Sequence, residues 1–306
     1  MPAIVLDGKV LASQIEADLI KAVVKMKELN ANPGIAVVQV MGNPASDLYA
    51  KVKEKACQRT GIHFRMVRLP DSVNKMDLIS VLRALNSDEG IDGLLLQMPL
   101  PNHLDVQEII EEIAPNKDVD CFHPYNMGRL FIGKPGLKPC TPMGCMVLLE
   151  RSGIILDGNN AVVLGRSNIV GKPLAMLLMQ KNSTVTVCHQ KSKHIDQELK
   201  EADIVVAAIG NPQSINGSNL KPGCVVIDVG QHRMPDGRIV GDVDYPSASA
   251  VAGWITPVPG GIGPMTVAML MYNTLWAAAK KREIHLDQVF SPGLIDISKY
   301  LALDSE

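Results

Sequence analysis

The chain has 306 residues and a formal net charge of −2, enough length for two domains of ordinary size. Hydrophobic residues make up 46 % and charged residues 20 %, so a core can form without disulfide or metal staples. The absence of a basic excess argues against a nucleic-acid binder, and no apolar run approaches the roughly 20 residues that span a bilayer.

The first ten residues carry Asp7 and Lys9 and lack the apolar core of a signal peptide, which points to a cytoplasmic protein. The six cysteines contain no Cys-x-x-Cys pair and the histidines no His-x-x-x-His pattern. The thiols are therefore read as structural and no metal is expected.

Leu11, Ile15, Leu19, Val23 and Met26 recur at helical spacing and predict a helix over 11–29. The continuous apolar run from Gly34 predicts a strand buried on both faces of a parallel sheet. The alternation continues as helix 45–60, strand 62–69, helix 74–86, strand 91–97 and helix 104–114. Residues 115–141, rich in Pro and Gly, read as a junction or a functional loop. A second series follows: helix 142–152, strand 160–164, helix 169–181, then strands 184–188, 203–208 and 224–229. Another Pro/Gly loop, Thr256 to Pro264, leads into an apolar helix near 265–282 and a short tail. The pattern is α/β throughout, with right-handed crossovers.

Gly165-Arg-Ser-Asn-Ile-Val-Gly171 leaves the 160–164 strand and feeds a helix at Lys172-Pro173. A glycine turn at a helix start presents N–H groups to a phosphate; it is equally the shape of a plain strand–helix turn. The spacing matches neither G-x-G-x-x-G nor the P-loop. Strand 184–188 ends in Cys188-His189-Gln190-Lys191, without the carboxylate that often binds an NAD ribose. With Arg166 in the loop, this favours the 2′-phosphate of NADP. Gly210 and Gly230, each ending an apolar strand, are either close-approach points for a cofactor or turn glycines.

Tyr49 and Lys53 share a face of helix 45–60. A lysine at the edge of a buried face can act as acid or base near neutral pH, and a solvated lysine fits the spacing as well. Gln97 closes strand 91–97 at the edge where α/β sheets place ligands, to orient an amine or to cap the strand. Asp118 and Asp120 lie in the long loop, where a carboxylate can grip a planar amidine-like edge such as a pterin's or form a turn.

Taken together these stretches resemble the bifunctional methylenetetrahydrofolate dehydrogenase/cyclohydrolase family. The likeness is carried by Ser46-Asp-Leu-Tyr49-x-x-x-Lys53, Gln97-Met-Pro-Leu-Pro101, Pro115-x-Lys117-Asp-Val-Asp120 and Pro139-Cys-Thr-Pro142. The glycine loop 165–173, Val226-Ile-Asp-Val-Gly230 and Thr256-Pro-Val-Pro-Gly-Gly-Ile-Gly-Pro-Met-Thr266 complete it. The resemblance implies two α/β domains flanking a cleft, the second a Rossmann-like parallel sheet. It places folate binding and catalysis in 1–141 plus 265–306 and NADP binding in 142–264. It implies NADP-dependent oxidation of 5,10-methylenetetrahydrofolate and hydrolysis of the methenyl product to 10-formyltetrahydrofolate, by a homodimer.

Within that family Lys53 is the expected catalytic residue, with Tyr49 and Gln97 shaping its position and protonation. Asp120, Pro259 and Gly260 join them on the folate. Thr141, Gly165, Arg166, Ser167, Gly230, Gln231 and Thr256 are the expected cofactor contacts. Three departures stand out: Cys121 where the family usually has glycine, Gln231 where an aliphatic residue is common, and Gln190 near the 2′-phosphate position. The short-chain dehydrogenases also use Tyr-x-x-x-Lys, but there the motif follows the nucleotide loop. A folate- or nucleotide-binding regulator is the non-catalytic alternative, and a fused formate ligase has no room in this length.

Overall fold

A computed structural model describes residues 2–42 and 44–290; of the expected tail, 291–306 lie outside the described residues. The first elements are β1 (Ile4–Val5), α1 (Gly8–Glu28), β2 (Gly34–Val40), α2 (Pro44–Thr60), β3 (His63–Leu69), α3 (Lys75–Ser87) and β4 (Gly93–Leu96). Then come α4 (Val106–Ile110), α5 (Pro124–Phe131), α6 (Cys140–Arg151), β5 (Asn160–Leu164), α7 (Gly171–Met179) and β6 (Thr184–Cys188). The chain continues through α8 (Ile195–Glu201), β7 (Ile204–Ala207), β8 (Val225–Asp228), β9 (His232–Arg233) and β10 (Ile239–Val240). It closes with α9 (Tyr245–Ser249), β11 (Trp254–Ile255), α10 (Ile262–Lys281) and α11 (Leu286–Val289).

The long strands and helices fall where apolar periodicity predicts them. The expected helix 104–114 is shorter: α4 starts where Asp105 caps the Gln107 and Glu108 amides and ends at Ile110. The Pro-rich loop hides α5, in which Pro124 occupies the first turn and costs no hydrogen bond.

The chain divides into two compact units, Met1–Ser13 with Thr141–Thr266 and Gln14–Cys140 with Val267–Glu306. The first thirteen residues thus pack with the second half of the chain, at variance with the expected division. The reason is β1, two residues too short to show a period, which pairs in parallel with β11.

The unit containing Gln14–Cys140 has a three-stranded parallel sheet ordered β3-β2-β4. Every residue of β2 is buried, the signature of a strand covered on both faces. Val38, Leu94 and Leu96 pack with Leu78 and Leu82 of α3 and with Ile109. Asp118 bridges in parallel to Leu94, which sets the 115–123 loop beside β4.

The other unit has a six-stranded sheet ordered β1-β11-β8-β7-β5-β6, parallel at every pairing. After β5 the chain runs to β6 on one side and then to β7 on the other. The carboxyl ends of β5 and β7 therefore mark a topological switch point, the place where doubly wound sheets bind ligands.

Candidate active site

In the three-stranded unit, α2 presents Lys53 to the residue that follows β4. The Lys53 Nζ donates to Gln97 Oε1 at 2.7 Å. Gln97 is buried and its Nε2 donates to the Met98 carbonyl at 3.0 Å. That second bond fixes the amide's direction, so its oxygen faces the amine. Ser46 Oγ donates to the same Met98 carbonyl at 3.3 Å. Gln97 thus orients the amine; its backbone N–H, donated to Val38 at 2.8 Å, continues the ladder.

Burial pushes the Lys53 amine below the usual lysine range, and the charge of Asp120 opposes that shift. Burial raises the Asp120 carboxyl, while the charge of Lys53 holds it down. Each group is driven toward its neutral form by loss of water and back toward charge by the other. Tyr49, one turn before Lys53, is 41 % exposed, and partial burial raises its hydroxyl. Leu48 and Val52, whose spacing with Ala56 suggests a core-facing stripe, are exposed like Tyr49, and only Ala56 is buried.

The two loop aspartates divide their work. Asp118 accepts the Phe122 and His123 amides at 3.2 and 2.8 Å and Asn126 Nδ2 at 2.9 Å. It is the builder of the turn, which leaves Asp120 as the carboxylate beside the amine. Cys121 is fully buried at φ 60, where its thiol donates to the Leu137 carbonyl at 3.2 Å. The glycine usual in the family would adopt this left-handed backbone without strain.

Two residues fix this loop: Asn273, which the sequence did not single out, and Cys140, one of the thiols read as structural. Asn273, buried in α10, donates to the Val119 carbonyl at 2.8 Å and the Lys138 carbonyl at 2.9 Å. Cys140 places its thiol on the Val119 carbonyl at 3.3 Å. A polar pair, Asn273-Thr274, inside an otherwise apolar helix was the signal available.

In the six-stranded unit the glycine loop sits at the switch point. A β-carbon on Gly165 would lie 2.1 Å from the Ala208 carbonyl oxygen, and one on Gly171 would lie 2.1 Å from the Gly165 oxygen. Both glycines are thus required by close backbone approach. Ser167 Oγ accepts the Val170 and Gly171 amides at 3.2 and 3.3 Å, which turns the chain into α7. Arg166 is exposed on this loop.

The remaining expected contacts are also in this unit. Thr256 is buried, its hydroxyl accepting the Asp228 amide at 2.7 Å, and Gln231 is exposed. Thr141 Oγ1 bonds Thr266 Oγ1 at 2.9 Å. Pro259 follows a cis peptide bond, and Gly260, at φ 113, accepts the Lys9 amide at 2.8 Å. Pro259 and Gly260 therefore belong to the unit of the glycine loop, whereas Tyr49, Lys53, Gln97 and Asp120 belong to the other. The structure gives Gly230 a local reason, since a β-carbon there would stand 2.5 Å from Asp242.

Two family models match the chain. Residues 6–120 match the tetrahydrofolate dehydrogenase/cyclohydrolase catalytic domain, and 139–282 match the NAD(P)-binding domain of the same family. The bifunctional protein FolD of Acetivibrio thermocellus is 51 % identical over 278 residues, covering 91 % of this chain and 98 % of that protein. The crystal structure of the bifunctional FolD methylenetetrahydrofolate dehydrogenase/cyclohydrolase from Campylobacter jejuni superposes with a TM-score of 0.90 at 41 % identity, covering 91 % and 99 % of the two chains. The Trypanosoma brucei dehydrogenase-cyclohydrolase, solved with NADP cofactor and inhibitor, gives a TM-score of 0.89 at 37 % identity over 92 % and 99 %.

Proposed function

The chain belongs to the tetrahydrofolate dehydrogenase/cyclohydrolase family, and from that premise we propose that it oxidises 5,10-methylenetetrahydrofolate with NADP and hydrolyses the methenyl product to 10-formyltetrahydrofolate. The observation that carries this reading is the Lys53–Gln97 bond, with an amine that burial moves toward its neutral form.

Hydrolysis adds water to the methenyl carbon and releases one ring nitrogen. Both protons of the water leave as its oxygen becomes the formyl carbonyl: one reaches that nitrogen and the other goes to solvent. A neutral Lys53 takes the first from the water and, once protonated, supplies it to the nitrogen. Gln97 Oε1 accepts one N–H of the amine, which directs the nitrogen lone pair elsewhere. Asp120 keeps an acceptor for the amidine-like edge of the pterin, and Tyr49 offers a ring face on the exposed side of α2.

When bound, the oxidised nicotinamide supplies the hydride acceptor for the first reaction. The glycine loop fits such a group: Gly165 and Gly171 let the backbone approach closely, and Ser167 and Arg166 stand at the start of α7 to meet phosphates. Arg166, and the absence of a carboxylate at the end of β6, favour NADP over NAD. Thr141, Gly230, Gln231 and Thr256 complete the cofactor contacts, and Pro259 and Gly260 the folate contacts. Gln14–Cys140 is then the folate-binding, catalytic unit and the six-stranded unit the cofactor-binding one. The family likeness supports a homodimer; no helix among the described residues is long and apolar enough to cross a membrane.

The test is reduced-nicotinamide absorbance after adding methylenetetrahydrofolate, with NADP and NAD in parallel. Turnover with NADP is expected. Turnover with NAD alone overturns the cofactor assignment, and no turnover from folded protein overturns the reading as a whole.

A further inference from the structure

The six-stranded unit contains two aspartates that the reaction above does not use. Asp228 ends β8 and Asp242 follows β10, 3 % and 0 % exposed. A carboxylate so placed persists only when its oxygens are bonded. Asp242 Oδ2 accepts the backbone amides of Ile209 and Gly210 at 2.8 and 3.0 Å, and its Oδ1 faces His232 Nε2 at 2.7 Å. An ionised carboxylate only accepts, so this contact places the imidazole proton on Nε2.

The Asp242 amide donates to Asp228 Oδ1 at 3.0 Å, and the Gly230 amide joins it there at 2.9 Å. Asp228 Oδ2 takes the Val243 amide at 2.9 Å. Glycines make room for both carboxylates: a β-carbon on Gly230 would stand 2.5 Å from Asp242 Oδ1, and one on Gly241 would stand 1.8 Å from Asp228 Oδ2.

Of these amides, those of Ile209 and Gly210 lie just past β7 and that of Gly230 just past β8. Ala208, next to the bonded Ile209, is the residue whose carbonyl abuts Gly165 at the switch point. We infer that Asp242 is a positioning residue for the dinucleotide, holding the loops after β7 and β8 in the shape that receives it. His232 orients the Asp242 carboxylate, and Asp228 ties it to Gly230. The inference rests on the dinucleotide reading proposed above.

The experiment compares two activities of one enzyme: KM for NADP in the dehydrogenase assay, and hydrolysis of the methenyl compound without nucleotide. Asp242→Ala strands two amide donors, and KM for NADP is expected to rise about tenfold or more. Hydrolysis stays within about threefold of wild type, an effect of at most about 0.6 kcal/mol, since that reaction consumes no dinucleotide. A general loss of fold would lower both activities. His232→Ala and His232→Gln keep the test decisive if Asp242→Ala does not fold. The alanine variant should raise KM several-fold, and the glutamine, whose Nε2 can stand in for the imidazole Nε2, should restore it. An unchanged KM in His232→Ala, or no recovery in His232→Gln, overturns the inference. The wild-type control separates this from the parent reading, because a wild type without NADP-dependent oxidation overturns the proposed function itself.

Discussion

The two units of this chain offer opposite kinds of groups to the functions proposed for them. In the three-stranded unit the groups proposed to work are side chains, Lys53, Gln97 and Asp120, and burial shifts both the amine and the carboxyl. In the six-stranded unit the proposed site leans on backbone: an exposed loop bounded by two glycines that tolerate no β-carbon, and amides held by buried aspartates, with Arg166 and Ser167 added on the loop. The contrast follows from the ligands proposed for each. Proton transfer needs a titratable atom of adjusted affinity, whereas phosphates are met by N–H groups that only a fixed main chain can aim. A side-chain site should therefore fail in rate at intact fold, and a backbone site should fail in shape first.

The strongest test of that contrast is Lys53→Ala. Hydrolysis of the methenyl compound should fall by about a thousandfold, the range of a lost general acid–base, with NADP affinity left within about twofold of wild type. Full hydrolysis by the variant would sink the catalytic assignment.

Gly165→Ala probes the other side. Its β-carbon meets a carbonyl oxygen at 2.1 Å on a backbone at φ 122, so a loss of about 3 kcal/mol in stability is expected. Denaturant melts measure it, and the stabilisation that saturating NADP gives the wild type should vanish. A loss below about 1 kcal/mol would mean the loop can open to admit a methyl group.

Asp120→Asn sharpens the electrostatic half. The Asp120 charge raises the Lys53 amine against the larger effect of burial, so its removal lowers the amine further. The acid limb of the hydrolysis pH profile should move to lower pH; movement to higher pH would exclude the carboxylate as the opposing charge.

The smallest effect is expected at Cys121. At φ 60 glycine escapes a strain of roughly 1 kcal/mol that alanine retains. Cys121→Gly should therefore be more stable than Cys121→Ala by about that amount in paired melts, the reverse of the order in a helix.

Much of this was legible in the chain itself. Continuous apolar runs such as 34–40 and 224–229 announced buried parallel strands, because a strand covered on both faces carries apolar side chains on both. Tyr49 and Lys53 were legible as a pair, because helical geometry puts residues four apart on one face. Lys53 with Gln97, 44 positions away, was not: spacing along a chain says nothing about which strand end meets which helix.

The sequence by itself determined the alternation of strands and helices, the turn glycines and the inventory of reactive groups, since these depend on local sterics and periodicity. Only the tertiary structure decided that Asp118 builds the turn while Asp120 faces the amine, that Asn273 pins the loop, and that Asp242 reaches from beyond β10 to the amides after β7. A buried polar group takes its meaning from the partners that folding brings to it, and those partners lie far away in the chain.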